Sequence, residues 1–404
     1  MQFRKSILEW LIIGGGIHGT YLSHALLKKR ITTRPSLAII DPNDELMGQW
    51  KRVTANVGMS HLRSPSVHHI DVEPFSLKHF AECQNCKQSF FIPPNERPSL
   101  DLFNEHSAHI VRRIGLHDIH VKSKAINIAL EKDFVEVETE KEILKTQNLI
   151  LALGQSEKRA WPTWAKNAKS ENGNICHVLE DSYCYEKIPD SGEIVVVGGG
   201  MSAVQTALSL IRPSRKVTLL SPHSLRQNNY DADPGWMGPK YLSKFRRISS
   251  YRTRREMITK ARNNGSITYE LKQEVNRRVN EKTLKVLVNE SLKCNVLMPD
   301  LMLLNLDNGD QIGSNYIVLA TGYNQELPGG KLVQSLISKY DLACAECGFP
   351  ITDSHLKWHD KVYVSGALAE LEVGPVSRNI IGARMAADKI IRSQKVQKIP
   401  HLIN

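Results

Sequence analysis

The chain lacks any apolar run approaching the ~20 residues that cross a bilayer, which excludes a protein built on membrane-spanning helices. An export signal is also missing. The short apolar stretch from Ile7 to Ile13 leads into glycines suited to a turn, and no small-residue cleavage site follows. Cytoplasmic residence is the expectation. Cysteine is sparse: seven among 404 residues cannot form a disulfide framework. Acidic residues are the minority, 42 against 53 lysines and arginines, for a formal charge of +11. Much of that excess lies between Lys244 and Arg262, where Glu256 is the only acid. No helix-turn-helix, RNP or zinc-finger spacing accompanies the basic run, so nucleic acid is a poor partner for it. A solvated helical face is the expectation there. The 41% hydrophobic fraction and the length suit a globular chain of two or three domains.

What is present is one pattern used twice. Leu8 to Ile13 reads as a strand, followed by the turn Gly14-Gly-Gly16-Ile17-His18-Gly19, a helix from Thr20 to Lys29, and a strand Leu37 to Ile40 ending in Asp41. The second copy opens with Glu193 to Val197 and turns through Gly198-Gly-Gly200-Met201-Ser202-Ala203. A helix from Val204 to Ile211 and a strand from Lys216 to Leu220 complete it. Each copy is the strand–turn–helix–strand unit of a doubly wound parallel sheet. Both halves close alike. Phe134 to Thr139 alternates, turns near Lys141 and returns as Asn148 to Leu153, stopping at Gly154. Leu301 to Leu306 turns at Asp307-Asn-Gly-Asp310 and returns as Tyr316 to Thr321, stopping at Gly322. After Gly322 a further strand meets a glycine at Gly366, and a last helix runs from Gly382 to Arg392. The fold class is α/β with two Rossmann-like dinucleotide-binding domains, the first discontinuous. The expected boundaries are 1–188 with 323–404, and 189–322 between them.

The turn residues divide the chemistry. Gly14 allows the sharp turn, Gly16 lets the backbone approach a pyrophosphate, and Gly19 lets helix and strand pack closely. The helix N-terminus then offers free N–H groups to phosphate. Asp41 lies about where a ribose-binding acid is expected, which assigns FAD to the first unit. In the second unit Ala203 replaces the third glycine, and no acid ends the second strand. Ser221, His223 and Arg226 stand there instead. They suit a 2′-phosphate that an acid would repel, which favours NADPH over NADH.

With these motifs the sequence resembles the two-dinucleotide flavoproteins, and within them the class B flavin monooxygenases of the lysine/ornithine N-hydroxylase branch. Gly14 to Gly19 match the family's FAD fingerprint. Gly200-Met201-Ser202-Ala203 looks like its NADPH turn, and Ala320-Thr321-Gly322-Tyr323 matches its ATGY signature. Val57 to Pro65, with His61 and Arg63, looks like the segment that lines the flavin face, and Trp50 stands where such families place a tryptophan near the isoalloxazine. The resemblance implies that NADPH reduces FAD and that a flavin hydroperoxide then passes oxygen to a nitrogen or sulfur of a small molecule such as an amino acid. Arg63 and Asn379 are the candidates near flavin or substrate. Two departures stand out. Glu171 replaces the phenylalanine of the class B fingerprint that includes Gly173 and His177, whose aromatic is displaced to Tyr183, and Gly366-Ala367 replaces a glycine–aspartate pair of the last strand. The expected partners are a small-molecule substrate and O2, with a homo-oligomer left open. An NADPH-dependent disulfide or quinone reductase of the same fold, or a non-enzymatic flavin/NADPH sensor, are the alternatives.

Two CxxC pairs, Cys83 with Cys86 and Cys344 with Cys347, have the spacing of zinc knuckles. Four plain thiols, a structural zinc site and a redox dithiol are all open on sequence.

Overall fold

The computed structural model describes residues 7–83, 90–93, 95–155, 158–288 and 292–397. Strand β1 (Leu8–Ile13) is buried at every position but Glu9, as a strand covered on both faces must be. It leads through the first glycine turn into α1 (Ile17–Lys28) and then to β2 (Leu37–Asp41), parallel to β1 from Trp10–Leu37 to Ile13–Ile40. Helices α2 (Gly48–Asn56), α3 (Ser76–Cys83) and α4 (Leu100–Ile114) follow. The Ser99 hydroxyl caps α4 by accepting the Leu102 N–H, satisfying one of its unpaired first-turn donors. Strand β3 (His120–Lys122) joins β2, and the antiparallel ribbon β4 (Ala125–Leu130), β5 (Val135–Thr139) and β6 (Ile143–Leu151) brings the chain back beside β1.

The second unit comprises α5 (Thr163–Ser170), β7 (Ile175–His177), β8 (Gly192–Val197), α6 (Met201–Leu210) and β9 (Arg215–Ser221). Next come α7 (Pro239–Arg247), α8 (Tyr251–Ala261), α9 (Tyr269–Asn280) and β10 (Leu284–Val288). An antiparallel meander, β11 (Leu292–Met298), β12 (Leu301–Leu306) and β13 (Gln311–Ser314), precedes β14 (Tyr316–Leu319). The tail adds α10 (Gly330–Tyr340), β15 (Lys357–His359), β16 (Val362–Val364), α11 (Glu370–Val373) and α12 (Ile380–Gln397).

One sheet runs β15-β16-β6-β1-β2-β3 and the other β10-β9-β8-β14-β7. The fold is therefore α/β with two Rossmann-type units, and the tail returns to the first: β16 pairs in parallel with β6, and Val333, Leu336, Ala383 and Ile390 enter the core built on Leu11 and Ile12.

Two details differ from the sequence reading. The Asp307–Asp310 turn joins β12 to β13, and the chain then passes through Asn315 into β14 of the parallel sheet rather than returning as one strand. Residues 159–188, expected in the first unit, pack with the second. Strand β7 pairs with β14, and Val178, Leu179 and Ile188 share a core with Val204, Ala207 and Leu210. Three residues are too few to show periodicity, so that edge strand left no sequence signal. We place the break close to Gly154.

The basic segment is also not a simple solvated face. Phe245 and Ile258 pack with Phe349, Leu371 and Val376 of the tail. Glu370 is fully buried and receives Arg255, Arg262 and Arg378, while Glu372 receives Arg254 and Lys389. Several of the chain's excess cations are thus spent fastening the two units together. No helix among the described residues is long and apolar enough to cross a membrane.

Candidate functional site

The two glycine turns are built alike. The Gly14 N–H donates to the Ile40 carbonyl at 2.8 Å, and the Gly198 N–H donates to the Leu220 carbonyl at 2.9 Å. The Ala152 N–H donates to Ile13, as Ala320 does to Val197. Each turn therefore lies at the carboxyl ends of neighbouring parallel strands, the usual ligand position in an open α/β sheet. Gly14 has φ +106°, and a Cβ there would lie 2.3 Å from the Ala152 carbonyl oxygen, so no other residue fits. A Cβ on Gly19 would lie 1.8 Å from the Gly14 oxygen. Ala203 holds the corresponding place in the second unit, buried in its core.

At both helix starts the N-cap is glycine, Gly16 and Gly200, with no side chain bonded to the first-turn N–H groups. Those donors stay available to an anion. A Cβ on Gly16 would meet nothing within 4 Å, so the turn is open on its ligand side. Asp41 is buried and clamps the first turn. One carboxylate oxygen accepts the Gly15 N–H at 2.6 Å and the other accepts the Asn43 N–H at 2.9 Å. Ser221, its counterpart, donates to the His223 carbonyl, and the His223 ring packs against Gly199 and Gly265. Arg226 is exposed, and its side chain makes no hydrogen bond to any of the described residues.

A cleft opens beside the first cradle, lined by Pro65, His68, Tyr230, Met237, Val376 and Asn379 among others. Among the described residues the Asn379 side chain has no hydrogen-bond partner. The His68 ring also bonds none of the described residues, and burial, then the nearby Arg384 and His69, pull it down to about 4, so it is a neutral imidazole. A second cavity, where the strand ends of both halves meet, includes Gly154, Lys158, Glu326 and Gly329.

Several expected residues have other tasks. Arg63 borders the cleft, but its guanidinium is engaged by Asp231 at 2.5 Å, the Asn228 and Tyr230 carbonyls at 2.7 and 2.8 Å, and Ser266 at 2.8 Å. It clasps the two units and has little capacity left for a substrate. Trp50 turns to α4, donating to Asn104 at 3.1 Å and packing on Phe103. His61 pairs with Ser99 through the backbone, and Val57 enters the second unit's core. Thr321 bonds His177, whose pKa burial lowers to about 4, and Tyr323 bridges to Arg159, so the ATGY segment fastens the edge of the second sheet. Met201 and Ser202 begin α6, while Gly322 accepts the Ala160 N–H.

The sequence placed His18 in the FAD fingerprint as a cofactor-binding residue, but gave no sign of the partners that make it join the cradle walls. His18, in the first turn of α1, meets Ser365 at 2.8 Å and the Asn379 carbonyl at 3.1 Å. Gly366 lies against the same ring and Ala367 is buried behind it. A histidine inside a glycine fingerprint was the available signal.

The zinc expectation finds no support. No group of three or more potential ligands is gathered among the described residues. Cys86 lies outside them, and Cys344 and Cys347 sit on a hairpin closed by the Cys344–Pro350 bridge.

Two Rossmann units with matched open turns define an oxidoreductase of the two-dinucleotide class. The family model of the pyridine nucleotide-disulphide oxidoreductases matches residues 11–265. The chain belongs to that family. A curated relative, the "34.2 kDa protein in rubredoxin operon" of Clostridium pasteurianum, is 31% identical over 134 residues, 33% of this chain and 40% of that protein. The chain thus spans about two fifths of that relative's length. Among solved structures, the desferrioxamine-pathway cadaverine monooxygenase of Erwinia amylovora superposes with TM-score 0.77 at 15% identity, covering 97% of this chain and 95% of its own. The ornithine N-hydroxylase of Kutzneria sp. 744 gives TM-score 0.76 at 14% identity, covering 97% and 100%. The bacillithiol disulfide reductase of Staphylococcus aureus gives 0.63 at 15%, covering 98% and 100%. At these identities the likeness is one of fold.

Proposed function

We propose that the chain is an FAD- and NADPH-dependent monooxygenase that transfers oxygen to a nitrogen, or a sulfur, of a small amine-bearing molecule such as an amino acid. The observation that carries this reading is the equivalence of the two cradles, with an acid at one strand end and Ser221 with a free Arg226 at the other. The cadaverine monooxygenase and the ornithine N-hydroxylase, whose folds are nearest in TM-score among those above, favour this chemistry over disulfide reduction. The cleft favours it too, because no cysteine among the described residues lines it.

In this reading the first-turn N–H groups of α1 hold the FAD pyrophosphate, while Asp41 keeps the turn in shape and faces the ribose. The first turn of α6 holds the NADPH pyrophosphate, and Arg226 takes the 2′-phosphate. Bound FAD and NADPH together supply hydride transfer and activation of O2. The protein's part is a site sheltered from water. Pro65, Met237 and Val376 give the cleft apolar walls, and Asn379 and the neutral His68 provide its hydrogen-bonding groups. Arg63 and the Glu370 cluster keep the two units in fixed register.

The test is a substrate screen on FAD-loaded protein with NADPH and O2, offering diamines, basic amino acids and thiols. Hydroxylated product formed in proportion to NADPH consumed supports the reading. Turnover only with disulfides, without oxygenated product, establishes the reductase instead.

A further inference from the structure

Three segments remote in sequence meet on one imidazole. His18 lies in the first turn of α1, Ser365 directly follows the last strand of the first sheet, and Asn379 precedes α12. Strand order β16-β6-β1 places the first two at the same end of that sheet. The hydrogen bonds fix the ring's tautomer. A carbonyl oxygen can only accept, so Nε2 carries the proton and donates to Asn379 at 3.1 Å. Nδ1 then accepts the Ser365 hydroxyl at 2.8 Å. Burial lowers the pKa to about 4, against the carbonyls of Asn379 and Arg378, which raise it. Over the ordinary pH range the ring stays neutral and keeps both bonds.

The ring stands beside the open Gly16 turn and against Gly366, where a Cβ would approach it to 3.7 Å. Anything lying along the turn toward the cleft passes His18. Among the described residues, the His18 ring makes the side-chain hydrogen bonds that tie Ser365 and Asn379 to the start of α1.

We propose that His18 is a positioning residue for the flavin: it latches Ser365–Gly366 and Asn379 to the start of α1, so that the cradle is formed before FAD arrives and the Asn379 amide faces the cleft. The proposal rests on the FAD reading above. Preorganisation of this kind raises affinity by removing an ordering cost.

The experiment begins with wild-type apoprotein titrated with FAD. If that protein binds no FAD, the cofactor reading fails and the latch has nothing to position. If it binds, His18→Ala, His18→Gln, Ser365→Ala and the His18→Ala/Ser365→Ala double variant are compared by FAD affinity, visible circular dichroism of the bound flavin, and melting of the apoprotein. The latch predicts affinity about tenfold weaker for His18→Ala, with an altered flavin signal and apoprotein melting that falls far less. His18→Gln, whose amide N–H can still reach Asn379, stays within roughly threefold. Ser365→Ala adds little once His18 is gone. Wild-type affinity and signal in His18→Ala overturn the proposal, as does simple additivity of the two losses. If His18→Ala does not fold, nitrogen-15 shifts of the wild-type imidazole decide: a proton on Nε2 near neutral pH supports the latch, and one on Nδ1 overturns it.

Discussion

Asp41 and Ser221 occupy the same place in the two halves of the chain. Each directly follows the residue, Ile40 or Leu220, whose carbonyl accepts the N–H of the first glycine in its turn. The carboxylate braces its own turn through Gly15, while the hydroxyl is spent on the His223 carbonyl. In the proposed reading, discrimination against NADH in the second unit then falls to Arg226, the exposed cation beyond that strand. Arg226→Ala should raise KM for NADPH roughly tenfold, about 1.4 kcal/mol, and leave KM for NADH unchanged. Equal effects on both nucleotides would place the 2′-phosphate elsewhere.

The two third positions of the turns make a paired test. Gly19→Ala sets a Cβ 1.8 Å from the Gly14 oxygen, so α1 must move off β1. Loss of FAD binding is expected, with overpacking destabilising by about 1–3 kcal/mol. Ala203→Gly has no such clash and should cost about 1 kcal/mol from helix propensity, with NADPH affinity retained. Chemical denaturation and cofactor titration of both variants check the contrast.

Glu370 is the buried anion of the cluster joining the basic segment to the tail. Replacing it by glutamine leaves Arg255, Arg262 and Arg378 without their shared counter-charge, at a cost of about 3–5 kcal/mol. Glu372→Gln should cost less, because Glu372 is 14% exposed at its side chain. Urea unfolding of the two variants gives the ranking.

Acid should weaken the fold through its buried histidines. Burial brings His68, His69 and His177 to about 4 and His106 to about 3. The same groups titrate near ~6.5 in an unfolded chain. Between those limits the unfolded chain binds protons that the native one refuses. Stability is therefore full above ~6.5 and declines as pH falls toward 4. Burial would raise Asp71, but Ser76, the Glu73 N–H, His24 and Arg113 bring it to about 2, so its contribution is lost below the histidine window. A melting temperature that stays flat from neutral pH to ~5 would contradict this account.

The parts legible in the sequence were those that repeat. Two glycine turns, each between an apolar strand and a helix, and an apolar strand ending at Gly154 or Gly322, reported the paired sheets because periodicity and glycine carry local signals. What depended on contacts between distant segments was not legible. Arg63 looked like a substrate ligand and is a clasp on Asn228, Tyr230 and Asp231. The arginines of 244–262 looked solvated, and three of them reach Glu370 or Glu372, over a hundred residues away. His18 read only as one cofactor-binding position of the FAD fingerprint, since Ser365 and Asn379 become its neighbours only when the tail folds back. Strand β7 was hidden by its brevity.

The most direct measurement is anaerobic mixing of FAD-loaded protein with NADPH or NADH while following oxidised flavin absorbance. The account predicts that the protein takes up FAD stoichiometrically, that NADPH bleaches it fully, and that NADH does so far more slowly. Failure to retain FAD, or a bound flavin that neither nucleotide bleaches, would contradict the pairing of the two cradles.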